Sequence, residues 1–249
     1  MITAVLLTKN EEENIQRSLT SLLWCDEVVL VDDFSIDATI PLARRIAQGK
    51  LKVYQRRLGL DYSAQRNFAL SHARGDWVIF VDPDEEVTMP LRQEISRILD
   101  SPDPLKGYFI QRRDVFLGRE LRYGETGRSR LLRLARKRAG HWQRPVHEVW
   151  LIKGKTGKLV NPLYHYPHPS LGEFLTNINF FTEMDALELP REGKKFSLDR
   201  VFLNPLGKFL QNYIFRLGFL DGFAGLVMAF MMSLHSLIVR VKMYEVSKK

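Results

Sequence analysis

The stretch Asp76-Trp77-Val78-Ile79-Phe80-Val81-Asp82-Pro83-Asp84-Glu85-Glu86 joins an apolar run to a dense group of acids. Five apolar residues in a row, bounded by acids and a proline, are typical of a short strand buried on both faces. Carboxylates directly after such a strand lie at its carboxyl end, where ligands bind in open parallel sheets. The stretch therefore predicts a buried strand over 76–82 with an acidic site at its end.

The same pattern of apolar runs and polar turns recurs upstream. It predicts strands at 2–8, 27–32 and 51–55, separated by helices at 12–24, 37–47 and 62–73. Strands that alternate with helices imply right-handed crossovers, and hence an α/β, Rossmann-like, mostly parallel sheet with helices on both faces. A further helix is expected over 88–99, with Thr88 as its N-cap. Beyond residue 107, shorter strands at 108–112, 130–134 and 146–152 indicate a mixed, antiparallel half.

The charge of the chain is concentrated in one segment. Between Gln111 and Arg144 there are eleven Lys or Arg residues and three acids, and the segment carries +8, the net charge of the whole chain. Such a block favours an anionic partner, either a phosphorylated acceptor, an acidic membrane surface or nucleic acid. A solvated basic face is the plain alternative. The single cysteine, Cys25, excludes an internal disulfide and a Cys-based zinc cluster.

Three polar clusters stand at predicted strand ends. They are Thr8-Lys9-Asn10-Glu11, Asp32-Asp33-Phe34-Ser35-Ile36-Asp37 and Asp82-Pro83-Asp84-Glu85-Glu86. Because the carboxyl ends of parallel strands meet at one edge, we expect these clusters to form one site. The first strand is not followed by a Gly-x-Gly-x-x-Gly or a Walker sequence, which argues against a dinucleotide or P-loop site.

Asp82 and Asp84 have the chemistry of a site for a hard cation. Two carboxylates two residues apart can point the same way, so that one binds Mg²⁺ or Mn²⁺ and the other braces it. A plain Asp-Pro-Asp turn is the alternative. Four acids within five residues repel each other unless a cation gathers them. A carboxylate at Asp32-Asp33 could accept the imide N–H of uracil, and Arg66 could pair with a diphosphate, although it could also be an ordinary surface arginine.

Taken together, these motifs resemble those of inverting family 2 glycosyltransferases with the GT-A fold. The resemblance rests on Thr8–Glu11, Val31–Thr39, Arg66-Asn67 and Gly75–Glu85, and covers about the first hundred residues. Phe34 replaces the glycine of the usual Val-Asp-Asp-Gly-Ser pattern. The later half, with Pro145-Val146-His147-Glu148-Val149, is similar to lipopolysaccharide inner-core glucosyltransferases.

The resemblance implies a nucleotide-sugar site and a metal. A UDP-sugar is the implied donor, with glucose as its sugar, and Mg²⁺ or Mn²⁺ is the implied cofactor. The implied binding residues for the nucleotide sugar are Thr8, Asn10, Glu12, Asp33, Arg66 and Asp82. Asp82, Asp84 and His147 are the predicted metal ligands. The implied domains are a catalytic domain at 1–169, with a nucleotide-binding half at 1–100 and an acceptor-side half at 101–169, and a helical region at 170–249.

An inverting transfer needs a base that takes the proton of the acceptor hydroxyl. Glu148 is our first candidate and Asp114 the alternative, while Asp84 is counted with the catalytic groups because it serves the leaving diphosphate. His147-Glu148 could instead be a polar pair at a strand edge. His165 and His168 could also reach the diphosphate, or pack with aromatic rings in a Pro-rich loop.

The last part of the chain is strongly apolar. Residues 222–239 include no Asp, Glu, Lys or Arg, and apolar residues upstream recur at helical spacing. We expect monotopic attachment to a membrane surface, with a soluble homo-oligomer through these helices, a core helix pair or a true span as alternatives. No secretory signal is recognised, which predicts a peripheral or monotopic protein on the cytoplasmic face.

The predicted acceptor is an anionic, phosphorylated or lipid-linked saccharide in lipopolysaccharide core or other cell-envelope glycan synthesis. Other classes of function are a polyprenyl-phosphate glycosyltransferase, a nucleotidyltransferase and a nucleic-acid-binding protein. A nucleotidyltransferase would carry a Gly-rich loop after the first strand. A nucleic-acid-binding protein would leave the acidic cluster unexplained, so nucleic acid is not an expected partner.

Overall fold

The computed structural model describes residues 1–100, 105–145, 148–168 and 170–248, and the backbone but not the side chain of Arg128. The chain forms two compact units. The first contains Met1–Arg112 and Arg130–His165, and the second contains Arg113–Ser129 and Tyr166–Lys249. Residues 113–129 therefore belong with the C-terminal region, although they interrupt the first unit in sequence.

Strands and helices alternate through the first hundred residues, and three helices dominate the C-terminal region. In chain order the elements are β1 (Ile2–Thr8), α1 (Ile15–Leu22), β2 (Glu27–Asp32), α2 (Thr39–Ile46), β3 (Leu51–Gln55), α3 (Tyr62–His72), β4 (Trp77–Phe80), β5 (Glu85–Val87), α4 (Met89–Leu99), β6 (Gly107–Phe116), β7 (Arg119–Glu120), β8 (Arg130–Arg136), β9 (Gly140–Gln143), β10 (Val149–Ile152), β11 (Thr156–Lys158), β12 (Leu163–His165), α5 (Leu171–Arg191), α6 (Leu198–Leu210) and α7 (Gly222–Ser247).

The predicted parallel sheet is confirmed. Its parallel part has the order β3-β2-β1-β4, and the strands predicted at 2–8, 27–32 and 51–55 have the expected bounds. The fourth strand is shorter than predicted and ends at Phe80, just before Pro83, which lacks the N–H that a ladder needs. Thr8 pairs with Asp32 at the carboxyl edge, so the three polar clusters do follow strands that end side by side.

Both faces of this sheet are covered, because successive strand residues point to opposite sides. Ala4 and Leu6 of β1 join the apolar cluster that includes α1, α2 and α4, whereas Val5 joins the cluster that includes α3 and the β9–β10 hairpin. Fully burying one such aliphatic side chain contributes roughly 1.5–3 kcal/mol. Helices on both faces are therefore a consequence of strands that are apolar at every position.

The later strands of the first unit are largely antiparallel, as predicted. β8 runs antiparallel to β4, and β6 runs antiparallel to β8. β9 and β10 form a separate hairpin in which Trp142 lies opposite Trp150. The two indole rings stack with centroids 5.2 Å apart, and Phe80 meets both edge-on. Of the predicted strand at 146–152, Val149–Ile152 form a strand. Residues 146 and 147 lie outside the described part.

The second unit is built around α5 and α7. Phe174 and Ile178 of α5 pack with Met228 and Met231 of α7. The carboxylate of Asp221 is buried and accepts hydrogen bonds from the backbone N–H groups of Arg122 and Tyr123. Among the described residues, one helical stretch, Gly218–Ser247, is long and apolar enough to cross a membrane by length and composition, and a third of its apolar window is buried within the protein.

Candidate active site

The ends of β1 and β2 are tied together by polar side chains. Thr8 Oγ1 donates to Oδ1 of Asp32 at 3.0 Å, and Asp32 Oδ2 accepts from the Ser35 N–H at 2.8 Å. The backbone N–H of Asp33 donates to the carbonyl of Thr8 at 2.8 Å. Asp32 is fully buried, so its carboxylate shapes the loop and Asp33 is the neighbour that faces outward.

Asp33 is held as a carboxylate. Its Oδ2 lies 2.8 Å from Lys9 Nζ, and its Oδ1 accepts from the Leu58 N–H at 3.2 Å. The hydrogen bond from Lys9 and the one from Leu58 hold the pKa of Asp33 below its usual value, although partial burial opposes them. An ionised acceptor at a sheet edge has the chemistry needed to bind an imide N–H.

Asn10 and Glu12 are brought to the same loop, where both bind protein groups. Asn10 Oδ1 accepts from the Ile36 N–H at 3.0 Å, and its own N–H donates to Ser35 Oγ at 2.8 Å. Glu12 Oε2 accepts from the Ala38 N–H at 2.9 Å. In this structure both side chains brace the loop that carries Asp33.

Phe34 adopts a backbone conformation that favours glycine. Its φ angle is +53°, a left-handed conformation that strains a residue with a Cβ atom. The ring is 45% exposed, and the guanidinium of Arg57 lies over it, 5.1 Å from the centroid. The left-handed turn explains why glycine is usual here.

Asp82 faces arginines. Arg66 lies 3.0 Å from its Oδ1, and the guanidinium of Arg133 contacts both carboxylate oxygens. Arg133 also contacts Glu85 at 3.0 Å, and Glu85 Oε2 accepts from the backbone N–H of Asp82 at 2.9 Å. The Arg66 Nε in turn donates to Glu148 Oε1 at 2.9 Å. Two guanidinium groups thus alternate with three carboxylates.

The contacts of this network shift the pKa values of Asp82, Arg133 and Glu85. Although burial opposes it, the guanidinium groups of Arg133 and then Arg66 hold the pKa of Asp82 far below its usual value. The same contacts raise the pKa of Arg133 against its own burial. For Glu85, burial is the larger effect and raises the pKa. The lowered pKa favours the ionised form of Asp82, and both of its carboxylate oxygens accept hydrogen bonds from arginines.

Asp84 has a different neighbour. Its Oδ2 lies 3.2 Å from Nε2 of His165, and 31% of its side chain is exposed. This is the spacing of a direct carboxylate–imidazole contact, and a carboxylate is a ligand that Mg²⁺ and Mn²⁺ prefer. Among the described residues, no cluster of three or more His, Cys, Asp or Glu residues could hold a metal. The predicted ligand His147 lies outside the described residues.

Glu148 lines a cavity of about 460 Å³ beside Asp82. The cavity is also lined by both tryptophans of the hairpin and by arginines, among them Arg112, Arg130 and Arg133. The Glu148 side chain is 19% exposed, so it has partial access to solvent. Asp114, the alternative base, is buried, and its carbonyl accepts from the Leu121 N–H within the 113–129 segment.

The two later histidines differ in their surroundings. His165 meets Asp84, as described above, whereas His168 stacks on the ring of Phe174 with centroids 3.5 Å apart. For His168 the alternative of aromatic packing is therefore the observed one. His165, which the sequence singled out only as a possible contact of the diphosphate, is the histidine beside Asp84.

Arg133 and Glu85 are the parts of the site that sequence reasoning missed. Arg133 belongs to the basic segment 111–144, whose charge by itself indicates only an attraction for anions. The sequence does indicate that Arg133 is buried, because its neighbours in the predicted strand are apolar. They are Leu131, Leu132, Leu134 and Ala135. A charged residue in an apolar strand is buried only when it is paired, which indicates a carboxylate partner.

The sequence matches that of known proteins. A family model described as glycosyl transferase family 2 matches residues 3–148, which is more than half of the chain. The protein belongs to glycosyltransferase family 2. It is 29% identical over 261 residues to an uncharacterized glycosyltransferase of Rickettsia typhi, with 100% of this chain and 88% of that protein covered.

Two further comparisons bear on the type of protein. The lipopolysaccharide core biosynthesis glycosyltransferase LpsC of Rhizobium meliloti is 26% identical over 253 residues, covering 98% of this chain and 92% of its own. The crystal structure of S. aureus TarS superposes with a TM-score of 0.50 at 18% identity, covering 98% of this chain and 53% of that one. The expected GT-A fold of a family 2 glycosyltransferase is confirmed.

Proposed function

We propose that the protein transfers a sugar, with inversion, from a UDP-sugar to an anionic saccharide that is phosphorylated or lipid-linked. The observation that carries the proposal is that Asp82 and Asp84, at the carboxyl edge of the sheet, have different partners. Asp82 forms ion pairs with Arg66 and Arg133, whereas Asp84 contacts His165. Cationic groups next to a carboxylate–imidazole pair are what a departing diphosphate requires.

Different residues bind the nucleoside and the diphosphate of the donor. Thr8 and Asp33 lie where the nucleoside would enter, and the ionised Asp33 accepts the uracil N–H. Asn10 and Glu12 support this part by holding the 33–38 loop. Arg66 and Arg133 supply the donors for the diphosphate, and Asp82 positions both guanidinium groups. Glucose as the donor sugar follows from the family resemblance alone.

A divalent cation, Mg²⁺ or Mn²⁺, would be held by Asp84 and His165. Asp84 would offer the carboxylate oxygen that such cations prefer, and His165 Nε2 lies 3.2 Å from it. The cation would neutralise charge on the diphosphate as it leaves. Asp82 acts beside this site through the arginines. The expectation that His147 is a ligand remains a proposal about residues outside the described part.

Glu148 is the proposed base. It borders the cavity next to Asp82, and its Oε1 accepts a hydrogen bond from Arg66 Nε at 2.9 Å, which positions the carboxylate there. An acceptor hydroxyl in the cavity would be close to this carboxylate and to the donor. The tryptophans that line the cavity offer apolar ring faces for a sugar, and Arg112 and Arg130 offer charge for an acceptor phosphate.

The second unit is proposed to lie on the cytoplasmic face of a membrane. Phe202, Phe215, Phe223 and Phe230 are each at least 65% exposed, which is unfavourable in water and suits an apolar interface. LpsC is named for lipopolysaccharide core biosynthesis. A lipid-linked core oligosaccharide, or a similar envelope glycan, is accordingly the proposed acceptor class.

Calorimetry with UDP and GDP, each with and without Mn²⁺, tests this function. We expect UDP to bind more tightly than GDP, and Mn²⁺ to strengthen the binding. Asp82→Ala should weaken UDP binding both with and without the metal, because both arginines lose their anchor. The proposal fails if neither nucleotide binds in the presence of metal.

A further inference from the structure

A second cavity, of about 460 Å³, lies away from the acidic clusters. It is lined by Gly75, Asp76 and Ala139 and by six basic residues, namely Arg74, Lys106, Arg136, Lys137, Arg138 and Lys153. We call these six residues and the cavity between them the basic pocket. Asp76 is the acidic residue among those that line the pocket. Outside the lining, Glu27 Oε1 lies 3.9 Å from Arg74 Nε.

The basic pocket lies at the edge of the sheet opposite to the candidate active site. Arg136, at the end of β8, pairs with Trp77, the first residue of β4. Asp76 and Asp82 therefore mark opposite ends of β4, about 20 Å apart at the rise of an extended chain. An anion in the basic pocket cannot be the diphosphate that Arg66 and Arg133 are proposed to bind.

Backbone hydrogen bonds fix the segments that carry these cations. The Lys137 N–H donates to the carbonyl of Asp76 at 2.8 Å, and the Arg136 N–H donates to that of Lys106 at 2.9 Å. The Lys153 N–H donates to the carbonyl of Ala139 at 2.7 Å. These bonds hold together the chain around residues 76, 106, 136–139 and 153, and so keep the basic side chains close to one another.

The cations of the basic pocket are only partly neutralised. The guanidinium of Arg136 lies over the Trp77 ring at 4.4 Å, and Lys137 Nζ donates to the Ala73 carbonyl at 2.5 Å. In the described part of the chain, the side chains of Lys106, Arg138 and Lys153 form no hydrogen bond or ion pair. Like charges that converge on a concave surface repel each other until an anion enters.

We propose that the basic pocket is a binding site for a phosphate-bearing anion. Phosphate suits it because one group offers several acceptor oxygens to donors from different segments. The group could belong to a soluble phosphorylated molecule or to a lipid headgroup, which present the same chemistry. The proposal does not rest on the donor, metal or base assigned above.

Two double variants with equal charge loss test it. Lys106→Gln with Lys153→Gln removes two cations of the basic pocket, and Arg44→Gln with Arg45→Gln removes two exposed cations from α2. In one arm, inorganic pyrophosphate is titrated calorimetrically at low ionic strength. In the other, sedimentation is measured with phosphatidylcholine vesicles that contain or lack phosphatidylglycerol. Unchanged thermal unfolding shows that both variants fold.

We expect the pocket variant to bind at least about fivefold more weakly than wild type in one arm or both, and the α2 variant to stay within about twofold. A loss confined to pyrophosphate identifies a soluble phosphate ligand, and a loss confined to phosphatidylglycerol vesicles identifies a headgroup. Either supports the site. Equal losses in the two variants, or a wild type that binds neither probe, overturn it. Nucleotide binding at the other edge should be unchanged in the pocket variant.

Discussion

Oδ2 of Asp84 lies 3.2 Å from Nε2 of His165, a residue 81 positions later in the chain. The two side chains come together because β5 and β12 pair antiparallel with Glu85 opposite His165. Asp82, only two residues before Asp84, is instead held by Arg66 and Arg133. The two aspartates of one short motif thus have separate partners, and this separation leads to distinct expectations for each.

Removing either member of the Asp84–His165 pair should abolish the contribution of the metal to nucleotide binding. For Asp84→Asn and for His165→Ala we expect a decrease of about tenfold or more in UDP affinity in the presence of Mn²⁺, with little change in its absence. Calorimetry at matched metal concentrations measures this. Asp76→Asn, at the opposite end of β4, is the control and should bind as wild type does. An undiminished effect of Mn²⁺ in both variants would contradict the proposed ligands.

Arg133→Met should destabilise the first unit strongly. The substitution leaves the buried carboxylate of Glu85 and the partly exposed carboxylate of Asp82 with one guanidinium fewer. Breaking a buried ion pair costs about 3–5 kcal/mol. Urea denaturation measures the free energy of unfolding. Adding Asp82→Asn and Glu85→Gln should restore part of the loss, since the unpaired charges are removed. Arg44→Met, on an exposed face of α2, should change stability by no more than about 0.5 kcal/mol.

The Lys9–Asp33 contact should make the free energy of unfolding depend on pH in the acidic range. The folded protein holds the pKa of Asp33 below its usual value, so this carboxylate binds a proton less readily than in the unfolded chain. Its stabilising contribution is complete above the ordinary aspartate pKa of about 3.9 and is lost as the pH falls through the lowered folded value. Lys9→Met should reduce that contribution. The difference in urea midpoint between wild type and Lys9→Met should therefore shrink below about pH 4; a difference that grows there would refute the pairing.

Phe34 offers a test of backbone strain with two substitutions. Phe34→Gly and Phe34→Ala both remove the ring and its contact with Arg57, but only glycine adopts φ of +53° without strain. We expect Phe34→Gly to be more stable than Phe34→Ala by about 1 kcal/mol, measured by urea denaturation. Equal stability of the two variants would show that the loop can relax away from this conformation.

Membrane attachment through the second unit should depend on its exposed rings. Phe202→Ser with Phe223→Ser removes two side chains that are 70% and 72% exposed, and vesicle binding should fall by at least about tenfold. Ile36→Ser with Leu60→Ser is a matched control in the first unit, where the side chains are 93% and 81% exposed. If both double variants bind vesicles like wild type, or if size-exclusion shows that the rings instead join copies of the chain, the membrane proposal is wrong.

The sequence alone determined the strand–helix alternation and the edge at which the site lies. Runs that are apolar at every position, such as 28–31 and 77–80, favour a sheet covered on both faces. Polar clusters after each run must then meet at the carboxyl edge. Thr8 and Asp32 do lie at the ends of β1 and β2, and Asp82 follows the end of β4 by two residues. These inferences are local, because periodicity and strand direction are properties of neighbouring residues.

Only the tertiary structure decided which charges pair. Arg133 reaches Asp82 from 51 residues away because β8 joins the sheet beside β4, and no spacing in the sequence reveals that register. The same holds for Asp84 and His165, and for residues 113–129, which join the C-terminal unit. The physical reason is that a buried charge is stabilised by partners within a few ångströms. Packing between distant segments selects those partners, whereas the local sequence determines only that partners are needed.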